Sequence, residues 1–188
     1  INLFDENRLL GEVDIEAYTA DLGLGAEFGN WGEFKLGTRW IKGTLDQRIG
    51  PRLFADESFE DALTYVALGA DTLDSLYFPR QGYRFNLEWK NARANLGADQ
   101  SYEQLTLDTS YSHSIFRHSL TGLLRYHRSF NDEVPFHALY RNGGFLNLSG
   151  FEPQQLAGPN FGQASLVYMY QWEKTLVPVY FGASIERG

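Results

Sequence analysis

Apolar and polar residues alternate one by one along most of this chain, and this period of two constrains the fold more than any other feature. From residue 83 to 90, Tyr, Phe, Leu and Trp alternate with Arg, Asn, Glu and Lys. Similar alternation recurs at 104–111, 163–172 and 177–186. Since successive side chains of a β-strand point to opposite faces, each range predicts a strand with one apolar and one polar face.

The alternation predicts eight strands and an all-β fold. The predicted strands span 8–28, 32–43, 60–73, 83–95, 101–114, 117–130, 161–173 and 175–187. Connections of the hairpin type predict an antiparallel meander. Short connections (29–32, 114–117, 172–175) and long ones (44–59, 131–160) fall at opposite ends of the sheet, with the brief link 97–100 as the exception. Transmembrane barrels sort their turns and loops in this way.

Loop lengths and aromatic content favour a barrel that spans a membrane with strands. Aromatic residues make up 15% of the 188 residues, and they lie near the ends of the apolar faces, as in the aromatic girdles of membrane barrels. A soluble, lipocalin-like lipid-binding barrel with its faces reversed has the same periodicity and stays an alternative. The polar faces carry charges of both signs, which suits a wet interior: Arg84, Glu88, Lys90, Asp108, Arg125 and His127.

The chain offers little for catalysis or for nucleic-acid binding. Its net charge is −8 without a basic stripe, and it has no cysteine for disulfides or thiol chemistry. No Gly-x-Ser-x-Gly elbow of a lipase occurs. His113 and His118 lack a third ligand for a metal, and the carboxylates Asp14 and Glu16 are better explained as a wet lumen wall than as a glycosidase pair. We expect no enzyme activity, no catalytic residue, no metal and no cofactor.

One turn resembles the outer-membrane-protein-85 superfamily, which includes BamA, TamA and the two-partner-secretion translocators. That superfamily has a Phe-Pro-x-x-Gly turn before an alternating strand. Phe78, Pro79 and Gly82 form the corresponding turn here, directly before the strand predicted at 83–95. Proline fixes φ in such a turn, and glycine adopts a conformation that other residues resist.

A second matching segment lies in the predicted loop 131–160. The superfamily carries a Val-Arg-Gly-Phe/Tyr element in its long sixth extracellular loop, which folds back into the barrel. The resemblance leads us to expect a sharp backbone turn at Gly150 and packing of Phe151 on the inner wall. The corresponding residues are Leu148, Ser149, Gly150 and Phe151.

The third match is an acidic residue two positions before a glycine on a late strand, here Glu186 and Gly188. Alternation places Glu186 on the polar face, so we expect it to point into the lumen. The arginine of the loop element is replaced by Ser149, and the family's arginine-to-acid contact cannot form as usual. Ser149 could hydrogen-bond in its place, or Arg141 or Arg187 could substitute for the missing arginine.

Taken together, residues 1–188 are expected to form a single transmembrane β-barrel segment, truncated at both ends. The loop at 131–160 would be extracellular and fold toward the lumen. The resemblance implies strands six to thirteen of a 16-stranded barrel in the bacterial outer membrane, in contact with lipid and lipopolysaccharide.

The implied function is insertion or translocation of a polypeptide client or a fused passenger. The turn at 28–33 is closer to barrels fused to patatin-like lipases of type Vd autotransporters, in which any lipase activity would lie outside this chain. A passive porin-like barrel is the main alternative. The partners could also include further copies of the chain in a homo-oligomer.

Overall fold

The computed structural model describes residues 2–5, 8–49, 57–131, 133–172 and 177–188. Its strands are β1 (Asn2–Asp5), β2 (Arg8–Phe28), β3 (Gly32–Ile49), β4 (Glu57–Asp71), β5 (Gly82–Ala92), β6 (Tyr102–Ile115), β7 (His118–Ser129), β8 (Tyr140–Asn142), β9 (Leu156–Gly158), β10 (Asn160–Trp172) and β11 (Val179–Arg187). Nine of them form one antiparallel sheet in the order β1-β2-β3-β4-β5-β6-β7-β10-β11, and β8 pairs with β9. Among the described residues, no helix has the length and apolar character needed to cross a membrane.

The eight long strands confirm the predicted all-β meander, but several strand ends differ from the prediction. β3 continues to Ile49 and β4 begins at Glu57, so residues predicted as loop are paired strand, with Leu45 opposite Glu57. Leu45 and Phe59 pack with Val13 in a buried apolar cluster. Burial of these side chains stabilises the extended strand ends, which lie beyond the range of clear alternation.

Smaller differences occur at other ends. β1 was not predicted, and β5 stops at Ala92, after which residues 94–96 form a 3-10 turn. Pro178 precedes β11 rather than lying inside a strand, so its missing N–H interrupts no ladder. Parts of the predicted connections and strands at 50–56, 132 and 173–176 lie outside the described residues.

The strand register separates the side chains onto two faces. The six residues predicted to form a polar face do share one, because their Cα partners connect them across β5, β6 and β7. The chain between β7 and β10 lies on this face, which we call the inner face. Inner-face charges pair with each other, as in Arg84–Asp71 and Arg39–Asp21, both at 2.7 Å. The opposite, outer face exposes apolar side chains, among them Leu24, Leu124, Leu166, Tyr168, Phe181 and Ile185.

Asp14 and Glu16 lie on the outer face, so the expectation that they line the lumen wall was wrong. Val13 and Ile15 alternate with them and pack into the inner-face cluster. Asp14 instead pairs with Arg48 at 2.6 Å. The same face carries the exposed Tyr18 further along β2. The outer face therefore changes from apolar to charged toward one end of the sheet, and alternation alone could not show that change.

The Phe-Pro-x-x-Gly turn between β4 and β5 is shaped by its glycine. Gly82 has a φ of +108°, a left-handed value that favours glycine, and a Cβ there would collide with the carbonyl oxygen of Thr72. Asp74 Oδ1 accepts hydrogen bonds from the backbone N–H groups of Arg80 (2.8 Å) and Gln81 (3.2 Å). Partial burial opposes ionisation of this carboxyl, but the backbone hydrogen bonds outweigh it and lower the pKa of Asp74.

The same turn shows how strongly the sheet curves. The ring of Phe78 stacks on that of Tyr180 in β11, with centroids 4.4 Å apart and planes 4° from parallel. Arg80 also donates a hydrogen bond to the carbonyl oxygen of Phe116 in the β6–β7 turn. β4 and β11 are five strands apart in the sheet order. A flat sheet would keep this turn far from β11, so the strands must curl toward each other as in a barrel wall.

Replacing Gly82 with alanine should destabilise the protein. The left-handed backbone and the collision with Thr72 predict a loss of about 1–3 kcal/mol in the free energy of unfolding. Urea titration of the complete protein in detergent, followed by tryptophan fluorescence, measures this loss. Gly122→Ala is the matched control, since a Cβ at Gly122 meets no atom within 4 Å. Equal midpoints for the two variants would contradict this account of the turn.

Candidate functional site

The chain from 133 to 159 covers part of the inner face and is held there by hydrogen bonds. It contains a 3-10 turn, Phe136–Ala138, and the paired strands β8 and β9. Gln104 Nε2 donates to the carbonyl oxygen of Ala138 at 2.8 Å, and Asn142 Nδ2 donates to Gln163 Oε1 at 3.1 Å. Gln104, Asn142 and Gln163 are all buried. Because a buried amide without partners costs free energy, these bonds favour the docked position of the loop.

The loop tip is bound by the carboxylate of Glu186. Glu186 Oε2 accepts hydrogen bonds from the backbone N–H groups of Leu148 (2.7 Å) and Ser149 (3.0 Å). Its Oε1 accepts from the hydroxyls of Ser149 (2.7 Å) and Ser184 (3.0 Å). Glu186 lies opposite Ser165 of β10, whose buried side chain is on the inner face. The structure therefore brings Ser149 and Glu186 together, although no arginine is present.

Gly188 makes room for the loop tip. A Cβ built on Gly188 would lie 2.7 Å from Leu148 Cδ1, which is closer than real Cβ contacts. A larger residue at this position would force the end of the Leu148 side chain to move. The Glu186 carboxylate and Gly188 thus both contact Leu148, which gives the acid-x-glycine match a physical reason.

Other predicted details of the loop differ. Gly150 does lie in a tight turn, which a hydrogen bond from the Phe151 N–H to the Leu148 carbonyl oxygen closes at 3.0 Å. Its backbone is outside the left-handed region, however, and the left-handed residues near the tip are Leu146 (φ 59°) and Leu148 (φ 65°). Phe151 is 37% exposed, and its carbonyl oxygen accepts from the Gly144 N–H at 3.0 Å. That exposure disagrees with the close packing on the inner wall that was expected for its ring.

The two arginines considered as substitutes do not take the place of the missing one. Arg141 lies over the Phe136 ring at 4.5 Å and donates to the carbonyl oxygen of Phe136 at 3.3 Å. Arg187 lies opposite Ala164, on the face away from Glu186. Ser149 is therefore the residue that replaces the arginine, through its hydroxyl and its backbone.

Sequence reasoning did not find two further contacts at the tip. Arg125 donates to the side-chain oxygen of Asn147, and Gln163 Nε2 donates to the carbonyl oxygen of Leu146 at 3.2 Å. Both contacts start from inner-face residues of adjacent strands. The sequence did show Arg125 and Gln163 as polar side chains on the inner-facing positions of their strands. Alternation gives no information, however, about which loop residue each of them contacts.

The histidines, of which His113 and His118 were considered as metal ligands, are distributed over different parts of the structure. His118 Nδ1 lies 2.6 Å from the Tyr168 hydroxyl on the outer face, and His127 Nε2 lies 3.1 Å from Asp108 Oδ1 on the inner face. No group of three or more His, Cys, Asp or Glu within the described ranges is arranged to hold a metal ion.

This architecture defines the class of protein as a segment of a transmembrane β-barrel with an inward-folded loop. The chain belongs to the Omp85 superfamily, since the model of the Omp85 superfamily domain matches residues 2–179. Membership of this superfamily, together with the fold, places the chain in the bacterial outer membrane.

One solved structure with the same fold is BamA from Haemophilus ducreyi lacking POTRA domains 1–3. The sequences are 20% identical and the TM-score is 0.68. The match covers 92% of this chain and 42% of that one, so this chain spans less than half the length of that structure. No curated protein matches the chain.

Replacing Glu186 with glutamine should release the loop tip. The carboxylate accepts four hydrogen bonds, whereas the single amide oxygen of glutamine cannot accept from all four donors. A loss of about 1.4 kcal/mol in hydrogen-bond free energy would make the undocked tip ten times more frequent. We expect chymotrypsin to cleave after Phe145 or Phe151 roughly ten times faster in intact cells. Ser184→Ala, which removes one donor of β11 itself, should change this rate little. Equal cleavage of wild type and Glu186→Gln would show that the carboxylate does not hold the tip.

Proposed function

We propose that this chain is part of an outer-membrane barrel that inserts or translocates polypeptides, with residues 131–160 as its extracellular, inward-folded loop. The observation that carries the proposal is the contact of Glu186 with Leu148 and Ser149, which fixes the loop tip against the inner face. A loop that lies inside the barrel occupies the path of any polypeptide that passes through it. Its position must therefore affect whether the path is open.

The chemistry of the tip supports a loop that can move. Ser149 is exposed and Glu186 is only half-buried, so water competes for their hydrogen bonds. An arginine would instead make a charge-assisted, two-pronged contact with the carboxylate, which is stronger and geometrically more restrictive. With Ser149 in this position, the docked tip is easier to release, as a loop that responds to a client requires.

The inner face is also suited to an extended polypeptide. Its charges pair within the wall, as in Arg84–Asp71 and Arg39–Asp21, and leave a surface of mixed sign rather than a strong field of one sign. Such a surface neither repels nor strongly holds a passing chain of varied sequence. The exposed apolar outer face would contact lipid and lipopolysaccharide.

A fused patatin-like lipase is our proposal for the client. It is supported by the likeness of the turn at 28–33 to barrels of that kind. In the structure this turn is tight, with Gly29 at φ 61° and the rings of Phe28 and Trp31 centred 6.1 Å apart. The lipase itself would lie outside this chain.

Removing the loop tip should abolish export or assembly of the client while leaving the barrel in the membrane. Asn142 lies opposite Leu156, so replacing residues 143–155 with Asn-Gly should close β8 and β9 into a hairpin with a two-residue turn. Client at the cell surface and barrel in the outer membrane are each measured by immunoblot. Phe145→Ser is the control, since Phe145 is 84% exposed, and it should export normally.

Unchanged export by the shortened loop would contradict the proposal. If the shortened protein only conducts ions better in planar bilayers, with its client unaffected, a passive porin-like barrel would explain the fold instead. If the shortened barrel is lost from the membrane, the Glu186→Gln variant tests the proposal instead. It keeps the loop intact and should reduce export on its own.

A further inference from the structure

A buried polar cluster on β4 and β6 contacts the loop far from the Glu186 site. Asp61 is on β4 and its side chain is only 2% exposed. Its Oδ2 accepts a hydrogen bond from the Tyr102 hydroxyl on β6 at 2.7 Å. The same oxygen lies 2.8 Å from Nε2 of His137, in the 3-10 turn of the loop.

The His137 ring is held on its flat side as well as at its edge. The Phe59 ring stacks on it, with centroids 3.9 Å apart and planes 13° from parallel. The neighbouring loop residues Phe136 and Ala138 pack against the two apolar clusters of the wall, and His137 itself is only 11% exposed. The turn therefore inserts three consecutive side chains into one patch of the inner face.

We propose that Asp61, Tyr102 and Phe59 form a second anchor for the loop, which binds His137 and keeps the loop inside the barrel independently of Glu186. We call these residues with His137 the His137 anchor. β4 and β11 are five strands apart in the sheet order, which at 4.8 Å per strand is roughly 24 Å along the wall. The His137 anchor and the Glu186 site are thus far apart, and both must be released, together with the bonds to Gln104, Gln163 and Arg125, before the loop can leave the lumen.

The chemistry of the anchor explains why histidine occupies this position. A buried carboxylate needs hydrogen-bond donors because it is otherwise costly to desolvate. Tyr102 supplies one donor from the wall, and His137 supplies another only when the loop is docked. Undocking leaves Asp61 short of a donor until water enters, so the anchor favours the closed position. An imidazole also presents a flat face to Phe59.

The test measures loop position in the complete outer-membrane protein in intact cells. Ala138→Cys places a thiol under the docked turn, and this chain has no cysteine of its own. The rate of labelling by a membrane-impermeant maleimide reports how often the turn is exposed, and the protein without Ala138→Cys gives the unspecific labelling to subtract. In the Ala138→Cys protein, which is the parent for all comparisons, adding His137→Ala should raise the labelling rate at least tenfold. His137→Gln, which keeps a donor near Asp61, should restore most of the protection.

His113→Ala is the matched control, since His113 is an exposed histidine of β6 and should leave labelling unchanged. Heat-modifiable migration on gels shows whether each variant keeps a folded barrel. Labelling of His137→Ala within twofold of the parent would overturn the second anchor, as would tenfold labelling that His137→Gln does not reduce.

Combination with Glu186→Gln tests independence. If the anchors act separately, the double variant should label faster than either single variant and show larger ion conductance in planar bilayers. Labelling no faster than that of His137→Ala alone would overturn the claim that the two sites hold the loop independently. Since labelling needs no client, failure of the anchor and failure of the translocation proposal give different results.

Discussion

Backbone hydrogen bonding between neighbouring strands is the constraint on which the rest of this structure depends. In lipid no water reaches the N–H and C=O groups, so a spanning strand must be paired on both sides. The large sheet meets this need with neighbours in chain order, as in the β2–β3 register that runs from Glu12 to Phe28. Pairing of this kind enforces a period of two, and each side chain is thereby assigned to lipid or to the interior.

The inner face, in turn, needs the loop. Near the end of the sheet where the loop lies, its buried polar residues include Asp61, Gln104 and Gln163. Each of them finds a partner on the loop: His137, the Ala138 carbonyl oxygen and Asn142. A wall of this composition without its loop would be hydrated, and a loop without this wall would have no reason to adopt one conformation. The two are stabilised as one unit.

The sequence predicted the sheet well because alternation is imposed by the backbone itself. It also placed Glu186 on the polar face from parity alone, and that face is the one the loop covers. Predictions about the loop backbone were less complete. Gly150 does lie in a tight turn, but the left-handed residues of the tip are Leu146 and Leu148. Contacts that the sequence did not show hold the backbone there, because Gln163 donates to the Leu146 carbonyl oxygen and Glu186 accepts from the Leu148 N–H.

The His137 anchor lay beyond sequence reasoning for a related reason. Asp61 and His137 are 76 residues apart, and neither belongs to a recognisable pattern. Only the curvature of the sheet and the course of the loop bring the two side chains together. Long-range contacts of this kind depend on the whole fold rather than on a local period.

The two attachments of the loop differ in how strongly water competes with them. At the tip, Ser149 is exposed and Glu186 is only half-buried, so hydrogen bonds lost there can be replaced by bonds to water. At His137 the partner carboxylate of Asp61 is almost fully buried and the imidazole stacks on Phe59, so opening must hydrate a buried carboxylate and uncover apolar surface at once. The tip is therefore the less stable half of the docked loop, and local opening begins where stability is lowest. Serine in place of arginine increases that difference, because it weakens the tip and leaves the His137 end as the main restraint.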